Sequence, residues 1–448
     1  MKSRRAAATL SLAAFALAAL GGVVLLGGLA IASEAAQGPT RTSAEARVAL
    51  RHDPVLSDAV DALERGRDTF RNDAFGSNLF FSDSLRLNEV LANVTPSQAL
   101  ALGVKVDADA LPRSVIRAIR RGAVDLDDPA VTRLLFEQWA VVGVVARVEE
   151  EELRDLGITC AWCHSTVDDS VAPGIGRRLD GWPNRDLDVG RILSLAPDLS
   201  AFTDLLGVDD ATVRAVLESW GPGRFDAHLN LDGKAFRPDG ETSAVLIPPA
   251  YGLAGVNLAT YTGWGSITYW NAFVANLEMH GLGSFSDPRL ADADRFPLAA
   301  GAGLDQVRAS PDLVTPKLAD LHLYQLALEA PRPSEGSFDP EAAARGAAVF
   351  AGRAECARCH VPPLYTEPGY NLHEPEEIGI DSFQADRSPT GKYRTTPLAG
   401  LWSRSRGGYY HDGRFATLDD VIDHYDMFFG LELSASERAD LAEFLRSL

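Results

Sequence analysis

Two copies of one five-residue pattern, Cys-x-x-Cys-His, contain every cysteine of this chain. The first copy is Cys160-Ala161-Trp162-Cys163-His164 and the second is Cys356-Ala357-Arg358-Cys359-His360. Four cysteines in 448 residues are too few for a disulfide scaffold. The pattern constrains the chain more than its composition does, because each copy brings two thiols and an imidazole to one place.

Three kinds of site use such a pattern. Two thiols at this spacing can add across the two vinyl groups of one haem, and the adjacent imidazole can bind the iron. A zinc site would have to unite all four thiolates from distant parts of the chain and would leave both histidines without a role. Two redox-active disulfides would need a strand-helix-strand context, which the helical periodicity of the sequence argues against. The pattern therefore predicts two covalently bound c-type haems, attached at Cys160, Cys163, Cys356 and Cys359, with His164 and His360 as iron ligands.

The first 32 residues predict export. Basic residues at positions 2–5 precede an uncharged stretch at 6–33, and Ala30-Ile31-Ala32 is the small-x-small pattern typical of signal-peptidase cleavage. The stretch is also long enough to cross a bilayer uncleaved, and no other segment is. We expect a periplasmic or other extracytoplasmic protein, with residues 1–32 as a signal peptide or a membrane anchor and no other membrane contact.

Composition and periodicity predict a mainly α chain of several domains. The net charge of -20 repels phosphate backbones, which excludes nucleic acid as a partner. Apolar residues recur at helical spacing, including an acidic helix expected near 149–156, and strand alternation is scarce. The stretch 330–336 is the best linker. We expect a helical extension at 45–150 and two cytochrome c-like haem domains, at 151–330 (the reactive haem) and 335–448 (the electron-transfer haem).

Local signals predict where the helices around the second motif begin. Asp339 followed by a proline is a helix start, and Thr417 with Asp420 at the third position of its helix forms another. Ser434 and Glu437 form a capping box. These helices provide the apolar faces that a cytochrome c domain needs.

The sixth iron ligand decides whether a haem carries electrons or reacts with oxygen species. The possible donors to the second haem are His411, His424, Tyr425 and Met427. Helical spacing places Tyr425 on the inward face of its helix and Met427 on the opposite face. The residues alone leave open that Tyr425 is an ordinary core tyrosine.

Two further segments carry a family resemblance. The runs Tyr393–Leu398 and Tyr410–Leu418 resemble the C-terminal haem domain of bacterial di-haem cytochrome c peroxidases and their MauG-type relatives. Fourteen residues after the histidine of the His-Asp-Gly motif, the peroxidases have an iron-binding Met and MauG-type proteins a Tyr; here this position is Tyr425. The resemblance implies that Tyr425 binds the second iron and that His411 lies beside that haem without binding it.

A weaker similarity lies upstream. Tyr261–Gly265 and Asn276–Met279 resemble the FWDGR and NPxEM segments of the same family, whose glutamate is the distal acid-base group. The resemblance implies this catalytic role for Glu278. Peroxide cleavage needs a group that takes a proton from one oxygen and delivers it to the other. Without the resemblance, a helix cap or a salt bridge is the simpler role for Glu278.

The chain also departs from the family. Standard peroxidases have a ligating His sixteen residues after the first motif, where this chain has Asp180, so we expect the first haem to be open. The family's NSPT segment, whose Asn helps to hold calcium, is replaced by residues 246–249 (LIPP), which makes that ion doubtful. Open-haem relatives include the RoxA-type rubber oxygenases, which the stretch with Trp264 and Trp270 resembles faintly.

Taken together, the sequence predicts an exported, peroxidase-like di-haem oxidoreductase. Peroxide would react at the first haem, and the second would relay electrons from an unknown donor. One alternative is a dioxygen-dependent oxygenase of RoxA type, and another is a two-haem electron carrier without enzymatic activity. Trp264 or Trp270 could relay electrons between the haems, although aromatic residues at such spacing are more often core.

Overall fold

Helices carry most of the regular structure. The computed structural model describes residues 53–448, so the predicted signal peptide or anchor at 1–32 lies outside the described residues. The α-helices of the described part are Pro54–Asn72, Leu87–Leu91, Pro96–Ala101, Arg113–Arg120, Pro129–Glu137, Ala161–His164, Val189–Leu193, Ser200–Leu206, Asp210–Ser219, Leu229–Asp232, Ile267–Phe273, Pro297–Ala302, Leu318–Ala327, Pro340–Ala351, Phe383–Asp386, Leu418–Phe429 and Ala435–Arg446. Two π-helical segments, Leu79–Ser84 and Val274–Glu278, and short 3-10 turns complete them. The predicted dominance of helix is confirmed, although the chain is mixed rather than purely helical.

Strands are short and pair only two by two among the described residues. One pair is parallel, Val106–Asp107 with Ile175–Gly176. The antiparallel pairs are Val144–Glu149 with Glu152–Ile158, Ser165–Val167 with Arg178–Asp180, Arg224–Phe225 with Val245–Leu246, and Ser284–Ser286 with Gln306–Arg308. No larger sheet forms in residues 53–448, so the strand-helix-strand context that redox-active disulfides require is not found there.

The predicted helix near 149–156 is wrong, because this segment is a β-hairpin. Val144–Glu149 pairs with Glu152–Ile158 across a two-residue turn, Glu150-Glu151. Both turn residues have positive φ, 51° and 66°. Two-residue hairpin turns require positive φ and normally use Asn or Gly. Two glutamates there give no sequence signal of a turn, and their acidic run is more typical of a helix.

The predicted helix starts around the second motif are confirmed. Asp339 accepts hydrogen bonds from two backbone amides of the first turn of its helix. Thr417 and Asp420 cap each other's backbone amides, and Ser434 and Glu437 do the same. These contacts are local, so the sequence alone was sufficient to predict them.

The last helix of the chain packs across the helix that leads into the second motif. We call Pro340–Ala351 and Ala435–Arg446 the C-terminal helix pair. They approach so closely at Gly346 that an added Cβ would lie 2.0 Å from the carbonyl oxygen of Asp440. Beside this contact, Arg345 donates two hydrogen bonds to the Asp440 carboxylate, at 2.7 and 2.8 Å.

A second pair of helices repeats this arrangement. Pro54–Asn72 packs on Leu318–Ala327, and we call them the N-terminal helix pair. An added Cβ at Gly66 would again lie 2.0 Å from a carbonyl oxygen, that of Asp320. Arg65 Nε donates to the Asp320 carboxylate at 2.6 Å. The crossing point is therefore built in the same way in both pairs.

The two pairs share a sequence signature as well as a geometry. Residues 65–70 and 345–350 both read Arg-Gly-x-x-x-Phe, and residues 319–321 and 439–441 both read Ala-Asp-Leu. This repetition indicates an internal duplication whose first copy begins at helix Pro54–Asn72. That helix falls in the predicted extension 45–150 but packs on a helix of the predicted domain 151–330; the domain boundaries themselves stay predictions.

Substituting Gly346 by alanine should lower the free energy of unfolding by about 1–3 kcal/mol, because the new methyl group would force the C-terminal helix pair apart. Gly301 is a matched control: it lies in a helix, and an added Cβ there meets nothing within 4 Å. Gly301→Ala should be neutral or slightly stabilising. Urea unfolding of both variants checks this, and equal stability of the two would contradict the close crossing.

Buried ion pairs join the two parts of the chain that carry the motifs. We call residues 151–330 the first half and residues 335–448 the second half. The Arg387 side chain is fully buried and pairs with Asp226 at 3.1 Å and with Asp232 at 2.8 Å. Breaking a buried pair of this kind is costly, so the contact stabilises the packing of the two halves.

Within residues 53–448, no helix combines the length and apolarity needed to cross a membrane.

Candidate functional site

Both Cys-x-x-Cys-His motifs fold so that one nitrogen of the histidine is held by the backbone. His164 Nδ1 lies 3.1 Å from the carbonyl oxygen of Pro248, and His360 Nδ1 lies 3.0 Å from that of Tyr365. A carbonyl only accepts, so each Nδ1 carries the proton and each Nε2 keeps its lone pair. Metal-binding histidines are typically oriented in this way. Burial also lowers the pKa of both imidazoles to about 4, which keeps them neutral and able to bind a metal.

The motifs share a local backbone geometry. In each, the amide of the histidine donates to the carbonyl of the first cysteine, at 3.1 Å for Cys160 and 2.9 Å for Cys356. The four cysteines are half-buried and form no disulfide. Burial raises the pKa of the Cys160 and Cys163 thiols to about 12 and that of Cys356 to about 11. These are protonated thiols in apolar surroundings, unlike the low-pKa thiolates of redox-active pairs.

The four thiols do not come together, which argues against the zinc alternative. In residues 53–448, the one group of three or more metal-ligand side chains within reach of a single ion is Cys359, Glu367 and His373. Cys160, Cys163 and Cys356 take no part in it. A single site made from both motifs is therefore not formed.

The group of Cys359, Glu367 and His373 is a feature that sequence analysis missed. His373 Nε2 lies 2.6 Å from the Glu367 carboxylate. Contact with Cys359, followed by that with Glu367, raises the pKa of His373 to about 9 against the lowering effect of burial. Glu367 also accepts from Thr395 at 2.6 Å. Thioether formation at Cys359 would remove its sulfur as a metal ligand and leave Glu367 and His373 in contact beside the second motif.

Asp180 occupies the position of the ligating histidine in standard peroxidases. Its carboxylate accepts hydrogen bonds from three other side chains. Its side chain is buried and accepts from Arg71 at 2.5 Å, Tyr324 at 2.5 Å and Ser165 at 2.8 Å. A carboxylate held by three donors is not free to bind an iron. Asp180 instead ties both helices of the N-terminal helix pair to the segment after the first motif.

Glu278 lies at the end of the π-helical segment Val274–Glu278 and is half-buried. Its Oε1 accepts a hydrogen bond from Asn230 at 3.3 Å. Burial raises its pKa well above that of an ordinary glutamate, and the nearby Asp226 adds to the rise. The structure shows no capping role and no ion pair for Glu278 among the described residues. A carboxyl whose pKa is raised in this way is a candidate for acid-base chemistry.

The helix turns that flank Glu278 connect it to the core around the first motif. Ala275 and Met279 belong to the same buried apolar cluster as Ala161 and Trp162 of that motif. π-helical turns inside helices are frequent at functional sites. The structure therefore places Glu278 on an element packed against the core of the first motif.

Tyr425 lies beside the second motif, as its position on the helix predicts. Burial raises the pKa of its phenol, and the thiols of Cys356 and Cys359 are close enough to add to the rise. Its ring centroid lies 6.2 Å from that of Tyr410, and the two phenol groups interact with each other. Two phenols therefore lie side by side next to the cysteines.

The other three possible donors are placed less favourably. Met427 is 79% exposed, on the outer face of the helix. His424 Nε2 lies 3.2 Å from the carbonyl oxygen of Ile378. His411 is buried and stacks on Tyr393 with ring centroids 5.3 Å apart. Of these four side chains, Tyr425 is the one whose pKa both thiols of the second motif affect.

A pair of tryptophans joins the halves and was also missed. Trp182 follows the first motif, and its ring centroid lies 5.3 Å from that of Trp402, in an edge-to-face contact. Trp264, by contrast, donates to Asp287 at 3.2 Å and lies under the Arg289 guanidinium. Trp264 is 3% exposed and packs in a buried cluster with Trp270 and Phe273. The contact between the halves therefore involves Trp182 and Trp402, and Trp264 is a core residue.

Part of the chain is similar to known proteins. The chain is 33% identical over 122 residues to the methylamine utilization protein MauG of Methylorubrum extorquens, covering 24% of this chain and 34% of that protein. It is 26% identical over 149 residues to the cytochrome-c peroxidase IdrP1 of Pseudomonas sp. strain SCT, covering 23% of this chain and 39% of that protein. Both relatives support the resemblance of this chain to the di-haem cytochrome c peroxidase and MauG superfamily. The resemblance stated from the sequence motifs is thus confirmed.

The similarity to these relatives covers only part of the chain. The match spans only between a third and two fifths of the length of these two relatives. No family model matches the chain. A solved MauG-like protein associated with microbial copper homeostasis covers 51% of this chain and 79% of its own, with 21% identity and a TM-score of 0.31. The match to a solved hydrazine synthase of Kuenenia stuttgartiensis covers 48% of this chain and 75% of that one, with 18% identity and a TM-score of 0.28. TM-scores this low do not establish a shared fold.

Proposed function

We propose that this chain is an exported di-haem c-type oxidoreductase that reduces hydrogen peroxide, or uses it for an oxidation, in the manner of the peroxidases it resembles. One observation carries the proposal. Both Cys-x-x-Cys-His motifs hold Nδ1 of their histidine against a backbone carbonyl and leave Nε2 available. Two similar haem-binding motifs in two halves of one chain are what a di-haem enzyme requires. Export rests on residues 1–32 of the sequence.

The residues fit two covalently attached haems. Cys160 and Cys163 would attach one and Cys356 and Cys359 the other, with His164 and His360 as proximal ligands. The neutral imidazoles can bind iron, and the free thiols can form the thioether bonds that attach a c-type haem. Bound haem would supply the redox-active iron for peroxide chemistry. We place the reactive centre in the first half, because Asp180 stands where the peroxidases have a ligating histidine and is held by three other side chains.

Glu278 would transfer a proton in the reaction. Burial raises its pKa above that of an ordinary glutamate, and Asn230 donates a hydrogen bond that holds its carboxyl in position. A group so placed can take a proton from one oxygen of peroxide and return it to the other. The buried Arg387 offsets the negative charge of the nearby Asp226, so that Glu278 is not surrounded by carboxylates alone.

The second half would deliver electrons to the first. Tyr425 beside Cys356 and Cys359 would provide a sixth ligand, which favours electron transfer over reaction with peroxide. The contact between Trp182 and Trp402 would connect the halves. The relative named cytochrome-c peroxidase supports peroxide as the oxidant.

The test is a comparison of turnover with two oxidants on the purified holoprotein. We expect two haems per chain by pyridine haemochromogen assay, a high-spin ferric signal from half of the iron, and electron consumption driven by peroxide. Two fully low-spin haems would support an electron carrier instead. Oxygen uptake without any response to peroxide would support a dioxygen-dependent oxygenase.

Replacing Tyr425 with phenylalanine should change the spectrum of one haem and raise its reduction potential while folding is preserved. A tyrosinate ligand favours ferric iron, so its loss stabilises the reduced state. Tyr370 is 77% exposed, so Tyr370→Phe is a matched control that should leave both spectra unchanged. Identical spectra for the wild type and Tyr425→Phe would indicate that Tyr425 is an ordinary core tyrosine that does not bind iron.

A further inference from the structure

Three arginines lie in the interior near both motifs. Arg185 follows Asn184, whose amide donates to the Cys163 carbonyl of the first motif at 2.8 Å. Arg394 and Arg404 belong to the second half, and Arg404 ends a short helical turn that begins at Leu401. Arg185 and Arg404 are only 8% and 6% exposed, and Arg394 is half-buried. We call these three residues the arginine cluster.

No carboxylate pairs with the arginine cluster in the described part of the chain. Each guanidinium reaches a backbone carbonyl: Arg394 that of Leu258, Arg404 that of Pro397, and Arg185 that of Arg406 at 3.5 Å. The Nε of all three is buried and has no hydrogen-bond partner among the described residues. The contrast with Arg387, which pairs with two buried aspartates, is clear.

The three positive charges also act on one another. Burial, together with the charge of Arg404, lowers the pKa of Arg394 to about 10. Burial likewise lowers the pKa of Arg185, with Arg404 again contributing. Arg404 is close enough to His360 to affect its pKa as well. Like charges gathered in a poorly solvated place are unfavourable unless an anion lies between them.

We propose that the arginine cluster is an anion-binding site between the two motifs, and that its ligands are the propionate carboxylates of the bound haems. The planar guanidinium fork matches a carboxylate, which would fill the unused Nε positions. The residue before Arg185 contacts Cys163 of the first motif, and the charge of Arg404 acts on His360 of the second. The cluster therefore lies near both motifs, where the propionates of both haems would be. The inference rests on the proposed function. A free oxyanion such as phosphate has the same chemistry, so the experiment distinguishes the two sources.

The experiment uses full-length holoprotein with Arg404→Gln, Arg185→Gln and the charge-preserving Arg404→Lys. Arg406→Gln is the matched control, because the Arg406 side chain is 70% exposed and its backbone carbonyl is retained. Haem content, the reduction potentials of both haems and the propionate vibrations in resonance Raman spectra are measured for each. Calorimetry measures the binding of inorganic phosphate to the wild type and to Arg404→Gln.

Both glutamine variants should lower the potential of at least one haem and shift its propionate vibrations, because a nearby cation stabilises the reduced iron. Arg404→Lys should restore the potential but not the vibrations, and Arg406→Gln should match the wild type. If Arg404→Gln does not fold, Arg404→Lys and Arg185→Gln decide by the same readouts. Unchanged potentials and vibrations at full haem content overturn the inference. Saturable phosphate binding by the wild type that Arg404→Gln loses overturns the propionate assignment in favour of a free oxyanion. A wild type without covalent haem contradicts the proposed function itself, which is a different result.

Discussion

Replacing Glu278 with glutamine should slow the oxidation of the reduced protein by peroxide by about 100-fold to 10,000-fold, the range typical of a lost acid-base group. Glutamine keeps the size of the side chain and an acceptor for Asn230 but cannot transfer a proton. Haem content should stay at the wild-type level. The measurement is stopped-flow oxidation of the reduced protein at matched haem content, with the exposed Glu241→Gln as the control.

The pH profile provides a second readout of the same variant. Burial raises the pKa of Glu278, so the carboxyl stays protonated above the usual glutamate range and ionises only at higher pH. Acting as the base, it must be ionised, so the wild-type rate should fall as the pH drops through the raised pKa. This inflection should be absent from Glu278→Gln. A rate within about threefold of the wild type with an unchanged profile would contradict the acid-base role, since that factor is under 1 kcal/mol of barrier.

The same pKa predicts the effect on stability. Between the ordinary and the raised pKa, the folded protein holds a proton that the unfolded chain has lost, so the wild type loses stability as the pH rises through this window. Glu278→Gln cannot ionise and should not show this loss. Unfolding by urea at several pH values therefore separates a catalytic defect from a folding defect.

The variants Cys160→Ala and Cys356→Ala should each lose one covalent haem attachment. In each variant, the half that carries the altered motif should be poorly folded. Thioether formation requires the thiol, and the apolar haem surface would replace much of the core around each motif. Mass spectrometry of the denatured protein counts the attached haems. Double variants of each motif, Cys160→Ala with Cys163→Ala and Cys356→Ala with Cys359→Ala, remove attachment completely.

These double variants also test the alternatives to haem. Two haem masses on a chain that lacks Cys160 and Cys163 would contradict the assignment of the first motif. Zinc in place of haem in the wild type would contradict both. Zinc in the single variant Cys356→Ala without haem, but not in the double variant that also lacks Cys359, would indicate that Cys359, Glu367 and His373 hold a metal when Cys359 carries no haem.

The sequence by itself determined what depends on neighbouring residues. The two motifs contain all their thiols and histidines within five positions, so their chemistry is visible without a fold. The helix starts at Asp339, Thr417 and Ser434 depend on contacts within one helical turn, and all three were predicted. Tyr425 was placed next to the second motif from helical periodicity and from the resemblance.

Only the tertiary structure decided what depends on residues far apart in the chain. The partners of Asp180 come from position 71 on one side and position 324 on the other, and the arginine cluster gathers residues 185, 394 and 404. The hairpin turn at Glu150-Glu151 is stabilised by strand pairing, because the turn residues do not favour positive φ. Local signals record short-range hydrogen bonds and periodicity, whereas burial, ion pairing and the close helix crossings at Gly66 and Gly346 arise when distant segments exclude water together.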